Sequence, residues 1–278
     1  MRYVPVMRIA IIGSGTAAKT LPAHLAELAA ASGDEAVLVD PRLSAFALSA
    51  YERLVVDLGY VDAMQSRDAQ GADAILINSF ADYGIDAARA VSTRPIVGAG
   101  EATLQAASDH GRRAFAIVTV WPASMGFLYT ERLRSLELEH ACRGVHHVSP
   151  ETELQKIGGD DGVMQRMARH EDAIVAHVLE ACERAVGNGA AAIALGCTCM
   201  APIGPALAAR MQVPVFEASR TGLRAAIAAA RRTTNTTPCA SRPDLVPQIV
   251  SAWAGAIGPA TIAHTAGDCP VCIEGDSA

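Results

Sequence analysis

Gly71-Ala-Asp-Ala-Ile-Leu-Ile-Asn-Ser79 and Gly189-Ala-Ala-Ala-Ile-Ala-Leu-Gly-Cys197 are two copies of one pattern. In each, a glycine and a short turn lead into an apolar run that ends on a small residue with a hydroxyl or a thiol. Gly71 to Gly189 and Ser79 to Cys197 each span 118 positions. A second pair follows in the same order, 119 positions apart. It matches Pro95-Ile-Val, closing on Leu104-Gln-Ala-Ala107, with Pro214-Val-Phe, closing on Leu223-Arg-Ala-Ala226. Ala-rich helices can match once through composition alone. Two matches in one order, at nearly one spacing, indicate two similar α/β halves, with Ser79 and Cys197 at equivalent strand ends.

The rest of the chain fits that frame. Short apolar runs predict strands at 8–12, 36–39, 74–77, 96–97, 115–118, 193–195 and 215–216. Helical patterns fall between them at 19–31, 85–90, 102–110, 125–136, 172–186, 203–211 and 221–231. Alternation of this kind predicts an α/β fold of two pseudo-twofold halves, each a parallel sheet covered on both faces. Ligands of such sheets bind at the carboxyl ends of strands, so a cleft between facing halves is the expected site. The predicted organisation is residues 7–98 plus 214–232 as the first half, 99–213 as the second, and 233–278 as a C-terminal extension. The extension begins in a polar loop, Thr233-Thr-Asn-Thr-Thr-Pro238.

Of 278 residues, 51% are hydrophobic and 19% charged, too apolar a balance for a disordered chain. The formal net charge of −6 does not attract phosphate backbones, so nucleic acid is not an expected partner. No apolar run reaches the roughly 18–20 residues of a membrane span, and Met1 to Val6 is too short and polar for a secretion signal. Seven cysteines, an odd number in a long chain, do not make a disulfide framework. The expectation is a cytoplasmic protein with mostly reduced thiols, a small-molecule substrate, and room for a homo-oligomer.

Cys197 lies in Leu195-Gly-Cys-Thr-Cys-Met200, directly after an apolar strand and shortly before a helix-compatible segment. A thiol there meets free backbone N–H groups and the positive end of a helix, which lower its pKa from about 8.5. The same N–H groups suit a substrate carboxylate or an enolate oxygen. The plainer reading is a buried cysteine acting as a small hydrophobe. Gly196, which admits a ligand close to the backbone, and the repeat partner Ser79 favour chemistry. For Ser79 itself, an N-cap role for the next helix is an alternative.

Leu195-Gly-Cys-Thr198 resembles the second cysteine motif of the aspartate/glutamate/hydantoin racemase superfamily, most closely its hydantoin racemase branch. Ile77-Asn-Ser-Phe80 with Gly84 and Ala87-Ala-Arg89 resembles the first cysteine motif and its helix. Pro95-Ile-Val-Gly98 with Glu101-Ala102 resembles the strand and helix that follow, and the likeness covers about residues 7–230. The resemblance implies proton transfer without a cofactor at a carbon next to a carbonyl or carboxylate, between two cysteines on opposite faces of the substrate.

Ser79 replaces the first of those cysteines. A serine hydroxyl is too weak an acid to substitute for a thiol without an adjacent base. A single-thiol site matches arylmalonate decarboxylase-like relatives, in which group loss is followed by protonation from one face by Cys197. Ser79 would then donate hydrogen bonds. The resemblance further implies substrate contacts from Thr119, Phe80, Gly196 and Thr198, and from Ser14 and Thr16 in the first strand-end loop. Cys199 has no counterpart in the family and is a candidate contact or second thiol.

Other classes compete. Gly13-Ser-Gly-Thr-Ala-Ala-Lys19-Thr20 matches a phosphate-binding loop except at its last glycine, which is Ala18. A hydrolytic or desulfurising attack by Cys197 on a hydantoin-like ring is a third enzymatic reading, and a non-catalytic anion-binding protein is a fourth. No metal or other cofactor is expected. Cys197 and Cys199 with the tail pair Cys269 and Cys272 would total four thiols, but nothing in the sequence brings them together.

Overall fold

A computed structural model of the chain describes residues 5–13, 20–43, 45–157, 159–232, 237–240 and 242–257. The first half runs β1 (Arg8–Ile12), α1 (Ala23–Ala31), β2 (Glu35–Val39), α2 (Ala50–Met64), α3 (Arg67–Gln70), β3 (Ala74–Ile77), α4 (Ile85–Val91), β4 (Ile96–Gly98) and α5 (Ala99–Ser108). The second runs β5 (Phe115–Thr119), α6 (Gly126–Ser135), β6 (Cys142–His147), α7 (Val163–Ala168), α8 (Asp172–Gly187), β7 (Ile193–Leu195), α9 (Gly204–Arg210), β8 (Val215–Glu217) and α10 (Ala218–Arg231). A last helix, α11 (Leu245–Ile257), packs on α2.

The strands form two four-stranded sheets ordered β2-β1-β3-β4 and β6-β5-β7-β8, with every neighbouring pair parallel. The orders are identical once β5 to β8 are read as repeats of β1 to β4. Apart from Arg8 at the start of β1, these central strands are buried throughout, which is why Ile9-Ala-Ile-Ile12, Ala74-Ile-Leu-Ile77 and Phe115-Ala-Ile-Val118 are unbroken apolar runs rather than alternating ones.

The halves interlock. Helix α10 follows the last strand of the second sheet yet packs on β1, β3 and β4 of the first, while α5 reaches β7 and β8 of the second. One apolar core therefore runs through both halves, joining Ile9, Leu76, Ala99 and Leu104 to Ile117, Ala194, Leu223 and Ala226. Burial of a side chain such as Leu223 contributes about 1.5–3 kcal/mol, and much of it here comes from the opposite half. Segment 214–232, expected to belong with the first half, is divided. Val215 pairs with Ile193 in the second sheet, and only α10 lies over the first.

Other differences from the sequence expectation have local causes. Strand β6 was not expected, because Cys142-Arg-Gly-Val-His-His147 is an edge strand whose residues are all partly or fully exposed. His146 and His147 lie in that strand opposite Val118 and Thr119. Helix α2 carries Gly59 in its interior, which reads as a breaker. A Cβ there would lie 2.0 Å from the Leu43 carbonyl oxygen. The helix expected over 19–31 begins at Ala23. The extension is helical over Leu245–Ile257.

Candidate active site

Ser79 and Cys197 each stand two residues beyond a central strand, β3 and β7. The local turns match. Ala81 N donates to Ser79 Oγ at 3.3 Å, and Cys199 N donates to Cys197 Sγ at 3.1 Å. Each turn thus folds a side chain back over the N–H two residues on. This spends an acceptor of Ser79, and among the described residues its hydroxyl proton has no acceptor. Ser79 does not cap the next helix; Gly84 precedes α4 instead. Both residues are half-buried, which keeps them reachable from solvent.

The two strand ends are joined through Tyr129 of α6. Phe80, next to Ser79, packs on the Tyr129 ring with centroids 5.5 Å apart. The Tyr129 hydroxyl donates to the Gly196 carbonyl oxygen at 3.0 Å, immediately before Cys197. With that proton committed, Thr119 Oγ1 donates to Tyr129 Oη at 2.6 Å and accepts from Trp121 N at 3.2 Å. A directional chain of hydrogen bonds therefore fixes the backbone entering Cys197. Burial drives the Tyr129 phenol well above its ordinary pKa, so it stays a donor.

These contacts reassign several expected substrate residues. Thr119 is fully buried with its hydroxyl engaged, and Phe80 is core. Gly196 is buried, and a Cβ there would lie 2.9 Å from Ile117 Cγ2 and Thr119 Cβ and 3.0 Å from Tyr129 Cε1. Its missing side chain accommodates the sheet and Tyr129. All three position the turn. Thr198 is half-buried in the 3-10 turn Thr198–Met200. Ser14 and Thr16 lie outside the described residues, as do Cys269 and Cys272.

The largest departure concerns the thiols. Cys197 and Cys199 are joined in a disulfide, with Cα atoms 5.2 Å apart. The expectation of a reduced Cys197, with Cys199 as a separate contact, is corrected accordingly: Cys197 can exchange a proton only after this bond is reduced. The cause is the turn itself, which brings the side chain of residue 197 over residue 199. Among the described residues no group of three or more His, Cys, Asp or Glu is arranged to hold a metal, and no helix is long and apolar enough to cross a membrane.

Two residues that the sequence reading missed complete the site. Asn78, between β3 and Ser79, is buried, and its Oδ1 has no partner among the described residues. A buried acceptor left open beside a strand end suits a ligand N–H. Its only sequence signal was a polar residue closing an apolar run. Asp82 is wholly buried and left-handed at φ 49°. Its carboxylate accepts from Gly100 N at 2.8 Å and Glu101 N at 2.7 Å, and Arg132 of α6 lies 3.7 Å away.

The second half solves the same problem differently. Glu217 accepts from Ser219 N at 2.6 Å and Arg220 N at 3.0 Å, the repeat equivalents of Gly100 and Glu101. Both central helices are thus headed by a carboxylate, which suits their positive ends. In the first half it comes from the Ser79 loop, in the second from the end of β8.

A doubled parallel α/β fold with matched strand-end residues defines the class, and sequence comparison supplies the family. The Asp/Glu/Hydantoin racemase family model matches residues 9–226, and the chain belongs to that family. It is 28% identical over 209 residues to the hydantoin racemase of Pseudomonas sp. (strain NS671), covering 72% of this chain and 76% of that protein. Allantoin racemase from Klebsiella pneumoniae shares the fold at a TM-score of 0.66 and 24% identity, over 83% of this chain and 90% of that one. Arylmalonate decarboxylase shares it at 0.52 and 22%, over 83% and 96%.

Proposed function

We propose that the protein is a cofactor-independent enzyme that moves a proton, or loses a group and then adds a proton, at a carbon next to a carbonyl. Reduced Cys197 is the acid/base and Ser79 a hydrogen-bond donor to the enolate or carboxylate. A small hydantoin-like ring is the favoured substrate class, because the chain is similar in sequence to hydantoin racemases and Asn78 Oδ1, without a partner among the described residues, suits a ring N–H. The observation that carries the reading is the matched pair of strand-end turns, with a cysteine in one half and a serine in the other.

One acid/base on one face has a stereochemical consequence. Removal and return of the proton by the same thiol exchanges hydrogen with retention, and inversion needs a second donor opposite. The test incubates each enantiomer of a 5-substituted hydantoin with fully reduced protein in deuterium oxide. Deuterium is expected to enter C5 faster than optical rotation decays. Cys197→Ala is expected to lower exchange by about 10²–10⁴-fold or more, the usual scale for a lost acid/base. Ser79→Cys should raise racemisation relative to exchange. An active Cys197→Ala protein would overturn the assignment.

A decarboxylase reading is favoured by the same single thiol. An arylmalonate that releases carbon dioxide and yields one enantiomer, while the hydantoin exchanges no deuterium, would select it.

A further inference from the structure

We propose that Cys197 and Cys199 form a reversible oxidative modification site: a hydroperoxide closes them into the disulfide, silencing the acid/base, and a dithiol reductant reopens it. The proposal rests on the reading of Cys197 as the acid/base.

The turn geometry is the first support. Cys199 N–H donates to Cys197 Sγ at 3.1 Å, so the fold sets the side chain of one over the backbone of the other. The closed bond has its Cα atoms 5.2 Å apart, within the ordinary range of disulfides. The matching turn of the first half carries Ser79 and Ala81 at the equivalent positions and holds no sulfur. Chemistry that depends on paired sulfurs is thus confined to the half with the acid/base.

Access and purpose are the second support. Cys197 and Cys199 are both half-buried, within reach of small solutes. Cys182, by contrast, is buried in α8, where burial pushes its thiol up to about 12 and makes it a poor nucleophile. A bond that closes a three-residue loop removes little freedom from the unfolded chain, so it is not a stabilising staple. Its one large effect is on the chemistry of Cys197.

The steps balance. The Cys197 thiolate attacks one oxygen of the hydroperoxide, the O–O bond breaks, and a sulfenic acid forms while water or an alcohol leaves. The Cys199 thiolate then displaces hydroxide from that sulfur, forming the S–S bond, and the hydroxide leaves as water after protonation. The two sulfurs lose two electrons in all, and the peroxide gains them. In reversal, a dithiol attacks the disulfide, resolves the mixed disulfide with its second sulfur, and leaves oxidised as a cyclic disulfide.

The test treats the folded, reduced protein with hydrogen peroxide and then with dithiothreitol. Two readouts are followed: the mass of the peptide holding Cys197 and Cys199, and deuterium exchange into the hydantoin. Wild-type protein is expected to give a peptide lighter by two hydrogens and a loss of exchange to background, both reversed by dithiothreitol. Cys199→Ser cannot close the bond. Its Cys197 is expected to gain oxygen instead and to pass to the sulfinic state, which dithiothreitol does not reverse.

If the wild-type peptide keeps both thiols or gains oxygen as the variant does, the modification site is overturned while Cys197 stays a candidate acid/base. If the disulfide closes and exchange continues undiminished, Cys197 is not the acid/base, and the silencing role falls with that reading. The peptide mass needs no substrate, so the two failures are told apart.

Discussion

At Asp82 a carboxylate with no exposed surface accepts from two backbone N–H groups at the head of α5 and faces Arg132 of α6. The loop that carries Ser79 is thereby tied to both halves. Burial outweighs Arg132 and the two N–H groups and pushes the Asp82 carboxyl up to about 7 from 3.8. The folded protein therefore holds this proton more tightly than the unfolded chain does. Its contribution to stability is greatest at low pH, is lost as pH rises through the folded value, and changes no further above it. Between about pH 5 and 7 the unfolding free energy should gain a falling component, with a slope approaching about 1.4 kcal/mol per pH unit. Asp82→Asn should remove that component, as read from denaturant unfolding across the pH range. Parallel curves for the two proteins would refute it. Nothing in Phe80-Ala-Asp-Tyr83 announced this role, because its cause is a partner eighteen residues away and a helix from the other half.

Among the elements, α5 and α10 are the pair on which the two halves close. Their near approach is at Gly222, where a Cβ would lie 2.8 Å from Leu76 Cδ1 and 3.0 Å from the Ala99 Cα. A side chain there meets backbone, which cannot swing aside. Gly222→Val should lose about 1–3 kcal/mol by overpacking, only partly offset by the better helix propensity of valine. Thermal unfolding should fall by roughly 3–10 °C. An unchanged midpoint would show that the helices do not meet as tightly as described. The sequence revealed these helices as Ala-rich periodic stretches at one repeat spacing. Which sheet each one covers was hidden, since α10 leaves the second sheet only to pack on the first. Strand β6 and helix α2 escaped for related reasons: one is a polar edge, and the other's glycine answers to Leu43 rather than to its own helix.

For the whole molecule, the repeat carried most of what could be read in advance. Two apolar runs at one spacing anticipated two similar α/β halves, which fold as two sheets of identical strand order with Ser79 and Cys197 in matching turns. The interior of the site was less legible. Tyr129, which joins the two strand ends, reads from sequence as one more apolar helix position, because a hydroxyl leaves no mark on periodicity. Cys199 was visible as an extra thiol, but its proximity to Cys197 Sγ depends on a turn that spacing alone does not define. What spacing conveys is which residues are equivalent. What it withholds is which polar atoms face each other across a turn or between halves.

The two carboxylates that head the central helices bear on how such a doubled chain can change over generations. Gly98 and Glu217 occupy matching positions, and a Cβ at Gly98 would lie 2.3 Å from Asp82 Oδ1. A recombination that copied the β8 end into the β4 end would crowd two acids into one buried space. The reverse copy would strip the head of α10, since Met200 stands where Asp82 would be required. At this joint neither half can be overwritten by the other without loss, which disfavours exchange of sequence between them.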